Sequence, residues 1–206
     1  MISYIIIALN CIISFIGFGN RSFFAKYMYN PYSLQRNKKE WYRIFSHAFL
    51  HADYMHLLFN MFTFYSFGLA LEQDIFPVIF TNHASYYFLV LYVGGILASA
   101  IPAYEKHKDD FSYNAVGASG AVSAVMFSYI LLLPTSSLSL LFLPIPIPAA
   151  FFGILFLVIS WYLSRRGGGH IAHDAHIWGG IFGFIFTALL KPSLLLAFFS
   201  QLKDLF

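Results

Sequence analysis

The stretch FSYNAVGASGAVSAVMFSYILLLPTSSLSLLFLPIPIPAAFFGILFLVISWYLS, Phe111 to Ser164, contains no charged residue. A helix needs about 20 apolar residues to cross the hydrocarbon core of a bilayer. One span cannot use this whole run, so two helices and a turn must share it. The break falls at Pro134, Thr135, Ser136 and Ser137, and again at Pro144, Pro146 and Pro148. Three prolines at every second position cannot sit in a helix interior, because each removes an amide donor and clashes with the preceding turn. A fourth span is therefore expected at about 115–133 and a fifth at about 149–163.

The rest of the chain reads outward from there. Met1 to Phe18 carries no charge and lacks both the basic start and the small-residue cleavage site of a secretory signal, so it reads as span 1, at about 2–18. Residues 19–54 form a long loop in which Arg21, Lys26, Arg36, Lys38, Lys39 and Arg43 mix with Phe23, Phe24, Tyr27, Trp41, Tyr42 and Phe45. That mixture suits the headgroup interface. Span 2 is expected at about 54–71, stopping at Glu72 and Asp74, and span 3 at about 83–103. The charged run Glu105 to Asp110 must lie outside the hydrocarbon. Arg165, Arg166 and Gly167 to Gly169 make a flexible connector, span 6 follows at about 175–190, and Ser193 to Phe206 reads as a short interfacial helix.

Composition agrees with this reading. Of 206 residues 59% are hydrophobic and only 10% charged, against roughly 25% charged in an ordinary soluble domain. Too little polar surface remains to wrap a soluble core. Disorder is excluded by 25 Phe and 14 Tyr, which would collapse. A single Cys excludes a disulfide framework and any multi-thiolate zinc site. A net charge of +3, scattered along the chain, points to no nucleic-acid partner. The expectation is one all-α, polytopic membrane domain over residues 1–206, a compact bundle of six transmembrane helices.

Polar groups inside spans are costly, so each needs a reason. The first cluster is His47, His51, His56 and Asn60. His56 and Asn60 are four apart, share one helix face and can both donate hydrogen bonds; bonding to neighbouring helices is the plain alternative. The second is Gly117-Ala118-Ser119-Gly120 at the start of span 4. It reads either as a small-residue helix contact or as a serine nucleophile beside free N–H groups at a helix start. The third is His173, Asp174, His176, Gly179, Gly180 and Gly183. A glycine stripe means that another helix packs at close range, and His176 tops that stripe. If the partner is span 4, the imidazole meets Ser119 and can take its proton. Asp174 lies about 200° around the helix from His176, so a Ser–His dyad fits better than a triad. The His pairs at spacings of three and four would suit zinc, but HExxH and an intramembrane carboxylate base are both missing, so no metal is expected.

Together and in this order, Trp41-Tyr42-Arg43, His47 to His51, His56 to Asn60, Glu72, Gly117-Ala118-Ser119-Gly120, and Ala175-His176 followed by Gly179 and Gly183 resemble the rhomboid family of intramembrane serine proteases. The Pro144 to Pro148 turn is also similar to one in that family. The resemblance covers about residues 40–190. It implies Ser119 as nucleophile and His176 as general base, then acid. It further implies an oxyanion site made of His56, Asn60 and the Ser119 backbone N–H, with Gly117 and Gly120 supporting it. His51 and His47 would line a wet cavity, Gly179 and Gly183 would join spans 4 and 6, and Arg43 and Glu72 would be structural. No cofactor is implied. Substrates would be single-pass membrane proteins, in a bacterial inner membrane, with span 5 and the glycine connector as gate and cap.

Two departures stand out. Some members stack an aromatic residue, one turn after the nucleophile, on the base; here that position is Ser123, leaving Phe127 or Trp178 to orient His176. The family opens its site to the non-cytoplasmic side, yet loops 1, 3 and 5 hold ten of the twelve Lys and Arg, which the positive-inside rule would place in the cytoplasm. Two other classes stay open: a rhomboid-like binder of membrane helices without catalysis, and a transporter using its histidines as a relay.

Overall fold

The first eighteen residues after Met1 form an uncharged helix, α1 (Ile2–Gly19), built inside out. Ser3, Asn10, Ser14 and Gly17 are buried, while Tyr4, Ile5, Leu9, Ile12, Phe15 and Ile16 face outward. Small and polar residues turned inward with large apolar ones outward is the pattern of a helix whose solvent is lipid. Two of the inward groups donate to carbonyls: Ser14 Oγ to Phe49 O at 3.0 Å, and Asn10 Nδ2 to Ile6 O at 2.9 Å. Glu72 receives the free amides at the helix start, from Ile2 N at 2.5 Å and Ser3 N at 2.8 Å. A carboxylate there satisfies orphan donors and opposes the helix dipole.

The computed structural model describes residues 1–140, 143–166, 172–203 and 205, with the backbone alone at 139, 140, 143–145 and 166. The connector expected at Gly167 to Gly169 lies outside the described residues. Five further long helices follow α1: α2 (Tyr54–Leu69), α3 (Ala84–His107), α4 (Ser119–Leu132), α5 (Ala149–Arg166) and α6 (His173–Leu190). A last helix, α7 (Ser193–Lys203), is bent 113° away from α6. Lys191 and Pro192 stand at that bend.

By length and composition two helical stretches can cross a membrane, α1 and the 54-residue run Tyr54–His107, or three if α6 and α7 are counted together; α4 and α5 are shorter apolar helices. The long run folds back on itself. Phe64 stands 5.1 Å from Tyr92 and Phe76 stands 6.3 Å from Phe88, ring centre to ring centre. Those pairs close around the turn Thr81–His83, where Thr81 takes φ +48°. Span 2 was expected to stop at Glu72 and Asp74. Instead α2 widens into a π-helical turn, Ala70–Ile75, and runs on through Phe76–Phe80. The wide turn is what carries Glu72 to the start of α1.

Residues 19–54 are a string of short helices rather than an open loop. Asn20, Asn30 and Asn37 each accept from an amide two or three residues on, Phe23 N, Ser33 N and Lys39 N, and so start three of these turns. Arg43 is buried. Its Nη1 donates to Ala25 O and Met28 O at 2.9 and 2.8 Å, and its Nε pairs with Glu40. Span 4 was expected from about 115, but the helix starts only at Ser119. Residues before it stay outside the helix, because Ala115 pairs in both directions with Tyr29 (2.9 and 3.0 Å), Gly117 N donates to His47 O at 3.0 Å, and Gly117 takes φ +122°.

An all-α fold misses one feature. Ser137–Leu140 (β1) pairs antiparallel with Leu143–Pro148 (β2), Leu138 opposite Ile147 and Ser137 opposite Pro148. The proline run is thus a strand of a hairpin. Spacing of two suits this, because alternate residues of a strand place their missing N–H groups on one edge.

α4 is the axis of the bundle, with twelve of its fourteen residues buried. Its most extensive partner is α6, and α3 packs on another side. A Cβ added at Gly179 would collide with the Gly120 carbonyl, and one at Gly183 with the Ala124 carbonyl. One turn further, Thr187 Oγ1 shares a hydrogen bond with Ser128 Oγ at 2.7 Å. The two helices therefore run parallel in one register over three turns. From α3, a Cβ at Gly95 would sit 2.9 Å from Ala121 Cα, and Gly120 lies against the Ser99 side chain.

Gly179→Ala and Gly183→Ala should each lower stability by about 1–3 kcal/mol, since the neighbour is rigid backbone rather than a side chain that can turn aside. Gly19→Ala meets nothing within 4 Å and should leave the melting transition in detergent where it is. A Gly183→Ala protein that melts with the wild type would refute the backbone contact.

Candidate functional site

The start of α2 is fixed by Asp53, whose Oδ1 accepts from His56 N at 2.7 Å. That cap sets the rotation of the first turn and so the side on which His56 and Asn60 project. Ala52 N–H reaches His56 Nδ1 at 3.4 Å. A nitrogen that accepts cannot carry the ring proton, which assigns it in the neutral imidazole to Nε2. Among the described residues Nε2 is buried without a hydrogen-bond partner. It lies 2.9 Å from where a Cβ at Gly117 would stand, and Gly117 itself takes φ +122°. Both the backbone and the ring beside it therefore demand glycine there. Asn60 Nδ2 donates one proton to His56 O at 2.9 Å; the amide has a second to offer.

α4 begins opposite these donors. Its first intrahelical bond along the chain is Val122 N to Ala118 O at 2.9 Å, so the N–H groups of Ser119, Gly120 and Ala121 have no partner within the helix. Gly120 touches Gly179 on α6, and His176 stands one turn before Gly179. The result is a cavity of about 350 Å³ whose lining includes His56, Asn60, Ser119, Ser123, Phe156 and His176. Ser119 and His176 are partly exposed to it. No hydrogen bond joins Ser119 to His176 among the described residues. Catalytic hydrogen bonds are often long in a free protein and tighten on substrate.

Residues 38–193 match the family model of the rhomboid domain. The chain belongs to the rhomboid family. It is 28% identical over 159 residues to RHOMBOID-like protein 12, mitochondrial, of Arabidopsis thaliana, covering 70% of this chain and 45% of that protein. It is 31% identical over 99 residues to the Bacillus subtilis (strain 168) protein named "Putative rhomboid protease YdcA", covering 48% of this chain and 45% of that one. The chain thus spans about half the length of the curated relatives it matches. Rhomboid proteins are integral to membranes, in keeping with the apolar helices of this one.

Other rhomboid positions fall differently from expectation. His47 and His51 do not line the 350 Å³ cavity. His47 lines a smaller one of about 20 Å³, shared with Gly117, Ser119 and Gly120, with its Nδ1 2.9 Å from Arg43 O and its ring 5.0 Å from that of Tyr29. His51 stands behind His56, ring edge to face at 5.0 Å, with Nδ1 2.9 Å from Ser14 Oγ on α1. It backs the ring of His56 instead of wetting the site. Asp174 pairs with Lys106 in the last turn of α3.

Neither residue expected to orient His176 touches it. Trp178 is 46% exposed on the outer face, and Phe127 is one ring removed. The contact is Phe156 of α5, its ring 5.4 Å from that of His176 with the planes 29° apart. Sequence reasoning missed Phe156 because it looked only along the helices carrying the reacting groups. Among the described residues no group of three or more His, Cys, Asp and Glu is placed to hold a metal.

A histidine ¹⁵N spectrum should show neutral His56 protonated at Nε2. Finding the proton on Nδ1 would remove this residue as a donor to the cavity. Gly117→Ala should displace the His56 ring and cost about 1–3 kcal/mol of stability, from positive φ and the lost space together.

Proposed function

We propose that this rhomboid protein is an intramembrane serine endopeptidase acting through a Ser119–His176 dyad. One observation carries the reading: a serine at a helix start, an imidazole and two further donors, from three helices, line one cavity. His176 takes the proton of Ser119 as the oxygen attacks the scissile carbonyl. The resulting oxyanion is held by His56 Nε2–H, the Asn60 amide and the Ser119 backbone N–H, preset donors in a site of low dielectric. His176 then gives its proton to the leaving amine. Water repeats the sequence on the acyl-enzyme and frees Ser119. Each role is filled by a group of this chain, and the reading calls for no cofactor.

On this reading residues 1–206 form one rhomboid-type membrane domain with α1 to α6 as six crossings, in a bacterial inner (plasma) membrane. The substrates are single-pass membrane proteins. Their helices must open locally at the cut, which Gly, Pro and small residues ease. The missing Ser119–His176 bond favours one rival, a rhomboid-like protein that binds membrane helices without cutting them.

The two readings part on a single experiment. A fluorophosphonate probe should label the detergent-solubilised protein, and neither Ser119→Ala nor His176→Ala should be labelled or cleave a reconstituted single-pass substrate. His56→Ala and Asn60→Ala should lower kcat by about 100- to 1000-fold with little change in KM, the range expected for an oxyanion donor. A folded wild-type protein that binds substrate helices, resists the probe and cleaves nothing would establish the binder.

A further inference from the structure

Among the described residues, His176 forms no hydrogen bond to a carboxylate or a backbone group that would fix its ring. Asp174, nearest along the helix, is taken by Lys106. Two rings remain. His173 meets His176 edge-on, 5.4 Å away at 88°, from the same helix. Phe156 meets it face to face, 5.4 Å away at 29°, in the offset arrangement that aromatic pairs favour.

The place this phenyl ring occupies is one that α4 leaves open. Ser123, one turn after Ser119, is small, buried and part of the same cavity lining as Phe156 and His176. Phe156 is itself backed by Phe127 of α4, ring centres 6.1 Å apart. Phe127 in turn lies under Gly180 of α6, where a Cβ would come 2.8 Å from Phe127 Cδ2. The rings thus make one continuous stack from α4 through α5 to the imidazole on α6.

We propose that Phe156 is a positioning residue for His176: its ring face sets the imidazole plane from α5, a helix that carries neither reacting group. The inference rests on the dyad reading for its catalytic meaning, though the stack can be measured without it. Its consequence is that base orientation depends on where α5 lies. Ile154, Leu155, Val158, Ile159 and Trp161 of α5 are exposed on its outer side, so a membrane helix that presses on that side and moves α5 also turns the base. The stack replaces the ion pair or hydrogen bond that more often orients a catalytic histidine.

The test has two arms on the full chain in nanodiscs. In ¹³C-histidine-labelled protein, the His176 Cε1–H signal, assigned by its loss in His176→Gln, should sit upfield from the ring current of Phe156. It should move downfield in Phe156→Leu and stay in Phe156→Tyr. An unmoved signal in Phe156→Leu overturns the proposal whether or not the protein cleaves anything. In the kinetic arm, Phe156→Leu should lower kcat about tenfold, with KM within about twofold, the size expected from one lost aromatic pair. Phe156→Tyr should keep most of the turnover, and Ser123→Phe added to Phe156→Leu should restore about half of the loss or more. A change confined to KM, or a Tyr variant as weak as the Leu one, also overturns it. A Ser119→Ala protein that cleaves like wild type would instead defeat the dyad reading and leave the first arm to decide the stack.

Discussion

The backbones of α4 and α6 touch at Gly120 with Gly179 and at Ala124 with Gly183, and the rest of the structure depends on that approach. Lipid tails are as apolar as leucine, so no hydrophobic force drives helices together inside a bilayer. Close dispersion contact and a few internal hydrogen bonds must do it, and both need small residues at the seam. The Ser128–Thr187 pair, 59 residues apart in sequence, continues the same register for a further turn. Because that register is fixed, so is what lies at the other end of the pair, where Ser119 and His176 face the cavity. The contact that holds the bundle is also the contact that sets the distance between the two reacting groups. Stability and chemistry therefore cannot be varied independently along this seam.

A second constraint comes from the short helices before α2. Buried Arg43 satisfies carbonyls of Ala25 and Met28, Tyr29 OH donates to Ala100 O at 2.9 Å, and Tyr29 pairs with Ala115 through the backbone. These bonds hold the chain just ahead of α4 out of the helix. Without them residues 115–118 would be free to join the helix, as their composition suggests, and the unbonded amides would begin four residues away from Ser119. His51, anchored to Ser14 of α1, then fixes the ring of His56 from behind. The donors proposed to hold the oxyanion are thus positioned from two directions, by α1 and by the segment before α4.

Much of this was legible because lipid imposes simple rules. Long uncharged runs mark helices, so all six long helices lie where the charge-free stretches do. The stripe Gly179–Gly183 signalled a close partner, and the polar residues stood out against an apolar background. What was not legible depended on contacts between distant segments. Nothing local says that residues 115–118 stay out of the helix, since the partner of Ala115 is Tyr29 and that of Gly117 is His47. Pro144, Pro146 and Pro148 exclude a helix interior, but a strand needs a second strand, which Ser137–Leu140 provides. The placing of His47 and His51 followed from their bonds to Arg43 and Ser14, and Phe156 reached His176 from the apolar part of a helix whose stretch 149–159 has no polar residue to draw notice. The π-helical turn at Ala70–Ile75 had no sequence mark except Glu72, whose partners are 69 and 70 residues away.

The length of α4 explains why the proposed chemistry would sit at its end. At about 1.5 Å per residue, its 14 residues rise about 21 Å, against about 30 Å of hydrocarbon. If the far end reaches the opposite surface, as the six-crossing arrangement requires, the near end stops about 9 Å below the headgroups. A helix that stops there exposes amides at a depth where no lipid can bond them, and each must be met by protein, water or a ligand. The non-helical residues 115–118 and the short helices before α2 fill that gap with polar backbone groups, keeping the end of the helix from meeting bare hydrocarbon. A full-length α4 would carry Ser119 into its middle, with its N–H bonded to a carbonyl four residues back and unable to hold an oxyanion. The shortness of the helix therefore supplies both the depth at which a membrane segment can be reached and the free donor that the proposed reaction needs.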